Sequence, residues 1–318
     1  MNLMTRTLIF VSLAAALTTS MVGCKSAQKT DGSARETVKT VVEEKPMQKN
    51  ADDAKEATVR DIWQAGDLVV TAIQDRPGQM SMSIFSGPAS DEERAKYFTD
   101  GSTEAGTNVF LLRTGDYVTL FDTGVGAKLI EALDSLGIKT EDVNTVLITH
   151  MHGDHIGGLL HDDTRTFSNA KVFVSKPELE SWLALAEKDS ANAGAAKVKS
   201  VVAAYGDDLQ TFAFGDSPIE AVTAIDAVGH TPGHTVYQLT ADNKSLLIVG
   251  DLIHAASLQF ALPDECASFD MDRPQAIQAR KRIFDLAAHN DLPIAGMHFP
   301  FGKVIGKVTK DSEGWKFE

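Results

Sequence analysis

The stretch Thr149-His150-Met151-His152-Gly153-Asp154-His155 closes an apolar run that begins at Val143. Four side chains able to hold a metal, His150, His152, Asp154 and His155, fall within six consecutive positions, although the chain of 318 residues has only 9 His. Imidazole and carboxylate at alternate and adjacent positions suit a loop wrapped around two borderline divalent ions, at ligand distances of about 2.0 to 2.2 Å. The plainer alternative, a solvated polar loop, leaves the close packing of three imidazoles behind a buried strand without a reason.

Outward from this point, Leu68 to Ile73, Met80 to Phe85, Thr107 to Leu112 and Tyr117 to Phe121 read as strands in succession, as in a sheet built from hairpins. Lys128 to Leu136 puts Leu129, Leu133 and Leu136 at helical spacing and stops at Gly137. Beyond the histidines come a strand at Lys171 to Val174 and helices over Pro177 to Glu187 and Ala191 to Tyr205. Strands follow around Ala221 to Ala227, Thr235 to Leu239 and Leu246 to Val249, then a helix over Pro274 to Ala288. Pro293 to Ala295 and Lys303 to Lys310 read as the last strands, with Gly314 in a turn. No interior linker divides the halves, so residues 61–318 are expected to form one α/β domain of four layers.

Three further stretches carry potential ligands in a fixed order: Gly229-His230-Thr231-Pro232-Gly233-His234, Gly250-Asp251, and Gly296-Met297-His298. With the HxHxDH pattern at 150–155 they resemble the metal motifs of the metallo-β-lactamase superfamily, over about Gly66 to Lys310. The resemblance implies an αββα sandwich and two divalent metal ions, zinc by preference. His150, His152 and His234 would hold one ion, Asp154, His155 and His298 the other, and Asp251 would bridge. His230 would orient a ligand without coordinating, and Asp122, in Phe121-Asp122-Thr123-Gly124, would brace the His150 loop.

A hydroxide held between two such ions supplies a nucleophile without any Ser or Cys, because its pKa falls toward neutrality. Asp154 would shuttle a proton to the leaving group. His254 lies three positions after Asp251, where some lactonases of this fold carry a Tyr that hydrogen-bonds the substrate carbonyl. It is expected either to polarise that oxygen or to pack against its own loop. His161 and His289 are read as structural.

Gly250-Asp251-Leu252-Ile253-His254, then Gln259-Phe260, and Gly296 to Gly302 look like the branch containing methyl parathion hydrolase and quorum-quenching-type lactonases. This implies a hydrolase of ester-like bonds, in lactones, aryl esters or phosphotriesters. Phe260, Phe299 and Phe301 are expected to wall its pocket, and no cluster of Arg or Lys near the motifs points to an anionic substrate. The rivals are a β-lactamase, a glyoxalase-type thioesterase and a non-catalytic binding lipoprotein. A β-lactamase of the best-known kind would carry a Cys ligand where this chain has Asp251. Export sets the enzyme apart from cytosolic glutathione, and a binding protein has no need of seven intact ligands.

The N-terminus reads as a targeting segment. Arg6 precedes the apolar run Leu8 to Leu17, and Met21-Val22-Gly23-Cys24 resembles a bacterial lipobox, in which the Cys is lipidated and becomes the new N-terminus. Residues 1–23 would be the signal peptide and 24–60 a flexible tether too polar to offset its own ordering entropy. The expected location is the cell envelope, lipid-anchored to the outer membrane and facing the periplasm or cell surface. With Cys24 lipidated, Cys266 has no partner and is expected as a buried small hydrophobe. A net charge of -14 argues against nucleic acid as a partner, which leaves a small-molecule substrate and, through the lipid, the membrane.

Overall fold

Successive side chains of most strands are apolar, as expected where a sheet is covered on both faces. The computed structural model, which describes residues 58–318 apart from Glu313, shows what covers them. Strands β1 (Val59–Ala65), β2 (Leu68–Ser81), β3 (Ser102–Thr114), β4 (Tyr117–Phe121), β5 (Val143–Leu147), β6 (Lys171–Ser175) and β7 (Leu209–Phe212) form a seven-stranded sheet in that spatial order. Pairing is antiparallel from β1 to β4 and parallel from β4 to β7. A second sheet of six strands runs β8 (Val222–Asp226), β9 (Thr235–Ala241), β10 (Lys244–Ile248), β11 (Pro293–Ala295), β12 (Ile305–Asp311) and β13 (Gly314–Phe317), parallel only between β10 and β11.

Alternate side chains enter different cores. Phe110 and Leu112 of β3 meet Tyr237, Leu239 and Ile248 between the two sheets. Val109 and Leu111 point the other way, into a core roofed by helices α1 (Leu129–Ser135), α2 (Lys176–Lys188) and α3 (Ala193–Tyr205). Val236 and Leu247 of the second sheet pack under helix α4 (Arg273–His289). The layers are therefore helix, sheet, sheet and helix, the αββα sandwich. Asp272 caps α4 by accepting from Gln275 N–H, and Pro274 sits in the first turn, where its missing N–H costs no bond.

Two local expectations need correction. Met80 to Phe85 is not one strand: β2 ends at Ser81, whose hydroxyl accepts from Ser83 N–H and starts a single 3-10 turn. Phe85–Ser86 then pairs with Cys266–Ala267. The folded domain also starts earlier than residue 61, because Val59 and Arg60 pair with Ile73 and Ala72. Cys266 is buried, and burial pushes its thiol up to about 11. The expected signal peptide, Cys24 and the tether up to residue 57 lie outside the described residues.

The strand ends position the site. β5, β10 and β11 each finish at the same rim and run into the loops bearing His150, Asp251 and His298, the edge at which open α/β sheets place ligands. β9 starts at the same rim, so His230 and His234 precede it.

Candidate metal centre

Three ring nitrogens meet at one point. His150 Nε2 is 2.9 Å from His152 Nδ1, His152 Nδ1 is 2.9 Å from His230 Nε2, and His150 and His230 close the triangle at 3.1 Å. Asp251 Oδ2 stands 3.4 Å from His230 Nε2 and 3.7 Å from His150 Nε2. The other carboxylate oxygen, Oδ1, is 3.0 Å from His155 Nε2, while Oδ2 is also 3.1 Å from His298 Nε2. Asp154 completes that second group, 3.8 Å from His155 and 3.6 Å from His298. Asp251 thus lies between a His150, His152, His230 group and an Asp154, His155, His298 group.

The outer partners decide what faces inward. His298 Nδ1 is 2.7 Å from the carbonyl of Gly106, which can only accept, so Nδ1 carries the proton and Nε2 a lone pair. His230 Nδ1 donates to Asp270 at 2.9 Å and His155 Nδ1 to Asp122 at 2.6 Å, with the same result. Thr149 Oγ1 donates to Asp122 and is left to accept from His150 Nδ1 at 3.1 Å. Four inward-facing ring nitrogens, the ones on which a metal would find a lone pair, therefore converge on the two oxygens of a buried carboxylate. His155 Nε2 and Asp251 Oδ1 are buried without an aligned hydrogen bond among the described residues. Ring nitrogens and carboxylates that face one another, two of their atoms without a partner, fit a pair of borderline cations such as zinc.

The electrostatics agree. Burial holds His150 well below the usual imidazole range, His152 at about 4 and His230 at about 3, so these rings are neutral at neutral pH. Burial acts the same way on His155, yet Asp251, Asp122 and Asp154 outweigh it and raise that ring well above its ordinary value. A site where three carboxylates favour positive charge on a ring nitrogen also favours a metal ion there.

His234 is a correction. Its Nε2 accepts the backbone N–H of Asp251 at 2.9 Å and its Nδ1 donates to the carbonyl of Ala227 at 3.1 Å. Both nitrogens are consumed, so His234 orients and His230 is the one with a free lone pair, the reverse of the sequence expectation. Gly250 permits this approach: it has φ +55°, and a Cβ there would stand 2.6 Å from His234 Nε2. Asp122 braces the loop as expected, taking Thr149 N–H and Oγ1–H at 2.7 Å each.

A family model described as the Metallo-beta-lactamase superfamily matches residues 102–289, more than half of the chain. The chain belongs to the metallo-β-lactamase superfamily. Among solved structures, the hydrolase AbOPH of the beta lactamase superfamily superposes with a TM-score of 0.75 at 28% identity, over 82% of this chain and 97% of that one. AidC, a dizinc quorum-quenching lactonase solved with the product N-hexanoyl-L-homoserine, gives 0.74 at 24% identity over 82% and 96%, a likeness of fold. Curated relatives match over shorter spans. The anti-Pycsar protein Apyc1 of Paenibacillus sp. (strain J14) is 44% identical over 64 residues, 20% of this chain and 22% of that protein. The uncharacterized protein YobT of Bacillus subtilis (strain 168) is 30% identical over 152 residues, 45% and 60%. This chain's match thus spans between about a fifth and three fifths of these two relatives.

In this metallo-β-lactamase superfamily member a cavity of about 400 Å³ opens onto His152, Asp154, Asp251 and His298. Its outer wall is Arg76, Gln79, Met80, Thr107 and Phe269. None of the three expected phenylalanines lines it. Phe299 is fully buried because the chain turns at Gly296 and its ring folds back there, where a Cβ would meet it at 2.3 Å. Phe260 stacks between Phe284 and Phe317 at 4.6 and 4.8 Å, and Phe301 lies in the core between the sheets. The wall aromatic is Phe269, 48% exposed and 5.9 Å from the ring of His254.

Of the two roles expected for His254, the structure favours packing over a place at the substrate oxygen. It is fully buried, enclosed by His230, His298 and Phe269, with Nε2 3.2 Å from Asp251 Oδ2 but not aligned to bond it. Gln259 fixes its backbone by accepting from His254 N–H at 2.7 Å. Its place is behind Asp251 rather than on the cavity wall. Sequence reasoning missed Asp270 and Phe269 altogether. Their loop docks on the His230 loop through Met271 N–H to His230 O and Asp272 N–H to Gly229 O. The only sequence signal was an aromatic flanked by polar residues.

Proposed function

We propose that this superfamily hydrolase cleaves a neutral, partly apolar ester-like bond, in lactones or aryl esters first and in phosphotriesters as a side activity. The observation that supports it is the convergence of imidazole lone pairs on Asp251 at the floor of a cavity whose outer wall includes Phe269 and Met80. His150, His152 and His230 would hold one ion, Asp154, His155 and His298 the other, and Asp251 both, with zinc the expected metal. When bound, such a pair lowers the pKa of water toward neutrality and polarises the oxygen of the scissile group.

The chain's own residues do the rest. Asp154 is the ligand carboxylate at the cavity wall, with 30% of its side chain exposed, so it can pass a proton to a leaving group. Phe269 and Met80 offer an apolar surface to an acyl chain or aryl group and keep water off it. Gln79 and Thr107 provide hydrogen-bonding groups for the polar end, and Arg76 is a single cation rather than a cluster. Turnover of lactones, aryl esters, phosphotriesters and β-lactams by the zinc-supplemented full chain tests the reading. Faster β-lactam than ester or lactone hydrolysis overturns it.

We also propose export and lipid attachment through Cys24, supported by the apolar run Leu8 to Leu17 and the Met21 to Cys24 pattern. Lys25, rather than Asp, after the Cys favours the outer membrane. Among the described residues no helix is long and apolar enough to cross a membrane.

A further inference from the structure

The first turn of helix α2 is tied to the candidate metal centre. Glu178 has no exposed surface. Its Oε1 accepts Met151 N–H and Trp182 Nε1–H, both at 2.8 Å. Its Oε2 accepts Thr231 Oγ1–H at 2.6 Å and Gly233 N–H at 2.9 Å. Met151 stands between the ligands His150 and His152, Thr231 follows the ligand His230, and Gly233 precedes the orienting His234. One carboxylate therefore holds both loops that meet in the three-imidazole triangle.

The surroundings make this contact close. Ser175, the cap of α2, donates to the carbonyl of Gly233 at 2.6 Å, and a Cβ on Gly233 would stand 2.2 Å from the backbone nitrogen of Glu178. Trp182 sets the edge of its indole against His152, ring centroids 5.6 Å apart. Three of the four donors to Glu178 are N–H groups that cannot turn round, so only a group accepting through both oxygens fits. A neutral amide of the same shape would face either Met151 N–H or Gly233 N–H with a second donor, and a buried donor left without an acceptor forces its loop to move.

We propose that Glu178 is a positioning residue that sets the spacing of the His150, His152 and His230 nitrogens, and with it the affinity of that one metal position. The proposal rests on the metal reading above. Its effect is confined to one half of the centre, because the four hydrogen bonds of Glu178 go to Met151, Trp182, Thr231 and Gly233 and none to Asp154, His155 or His298.

The test is cobalt(II) titration of the metal-stripped full chain, read by the visible absorption of the bound ion and by competition with a chelator. The His298→Ala and His230→Ala proteins identify the absorption of each position. Glu178→Gln should weaken the His150, His152 and His230 position by about 10- to 100-fold and leave the other within about twofold, in a metal-free protein that still folds with its melting temperature lowered by several degrees. Thr231→Val, which removes a single donor and keeps the shape, should weaken the same position by less; it decides the matter if the Glu178 variant does not fold. Unchanged cobalt affinity and absorption in these variants overturns the proposal, as does equal weakening at both positions. A wild type that takes up no second ion strikes instead at the reading of the centre, and shows itself before any variant is made.

Discussion

The backbone N–H of Asp251 donates to Nε2 of His234 at 2.9 Å. A histidine four residues from His230 thereby aims the carboxylate that lies between the two halves of the centre, using a lone pair that a metal would otherwise take. His230→Ala should then remove one of two bound ions, whereas His234→Ala should retain both at lower affinity, since a buried N–H without an acceptor costs about 1 to 3 kcal/mol. Metal analysis of the two purified proteins checks this; loss of an ion from the His234 variant alone would restore the opposite assignment.

Two equivalents of zinc or a similar divalent ion are expected per wild-type chain purified without chelator. Binding only to the folded state at a thousand times the dissociation constant stabilises by about 4 kcal/mol. Stripping the ions should lower Tm by on the order of 10 °C. Calorimetry with and without chelator measures it, and a Tm indifferent to chelator would contradict a resident pair.

Asp270 and Asp122 fix the protons of His230 and His155 on the outer nitrogens. Asp270→Asn and Asp122→Asn let an amide N–H face those nitrogens, which favours the other tautomer and turns a lone pair into a donor toward the centre. Each should cost about 10- to 100-fold in metal affinity, the first at the His230 position and the second at the His155 position. Cobalt titration distinguishes them, and equal affinities in variant and wild type would refute the tautomer argument.

Phe269 and Phe299 should separate specificity from stability. Phe269→Ala should raise KM for an aryl ester or a long-chain lactone with metal content and Tm little changed. Phe299→Ala should cost about 3 to 5 kcal/mol of stability, as for other buried aromatics, with KM little changed in what remains folded. The opposite pattern in steady-state kinetics and denaturant melts would return Phe299 to the cavity wall.

Cys24→Ser should move the protein from the detergent fraction to a soluble or unprocessed form. Unchanged fractionation would leave an ordinary secretory signal as the better account.

The layered α/β fold, the motif-bearing loops at strand ends and six of the seven residues that the structure brings together around Asp251 were legible in the sequence. These features are local: HxHxDH packs its donors within one loop, and strand periodicity needs only neighbouring residues. The choice between His230 and His234 was not local. Both follow a glycine at the same rim, and the difference lies in the carbonyl of Ala227 and the N–H of Asp251, which occupy one ring and leave the other free. Nor could adjacency to His298 reveal that Phe299 folds back over Gly296 into a core, or that Phe269 takes its expected place. Glu178 and Asp270 lie 27 and 40 residues from Met151 and His230, the groups they hold. Sequence determined which groups were available to bind metal and the order of elements that present them. Tertiary structure alone decided which nitrogens keep a lone pair, because that depends on hydrogen-bond partners brought from distant elements, and the spacing of a motif carries no record of them.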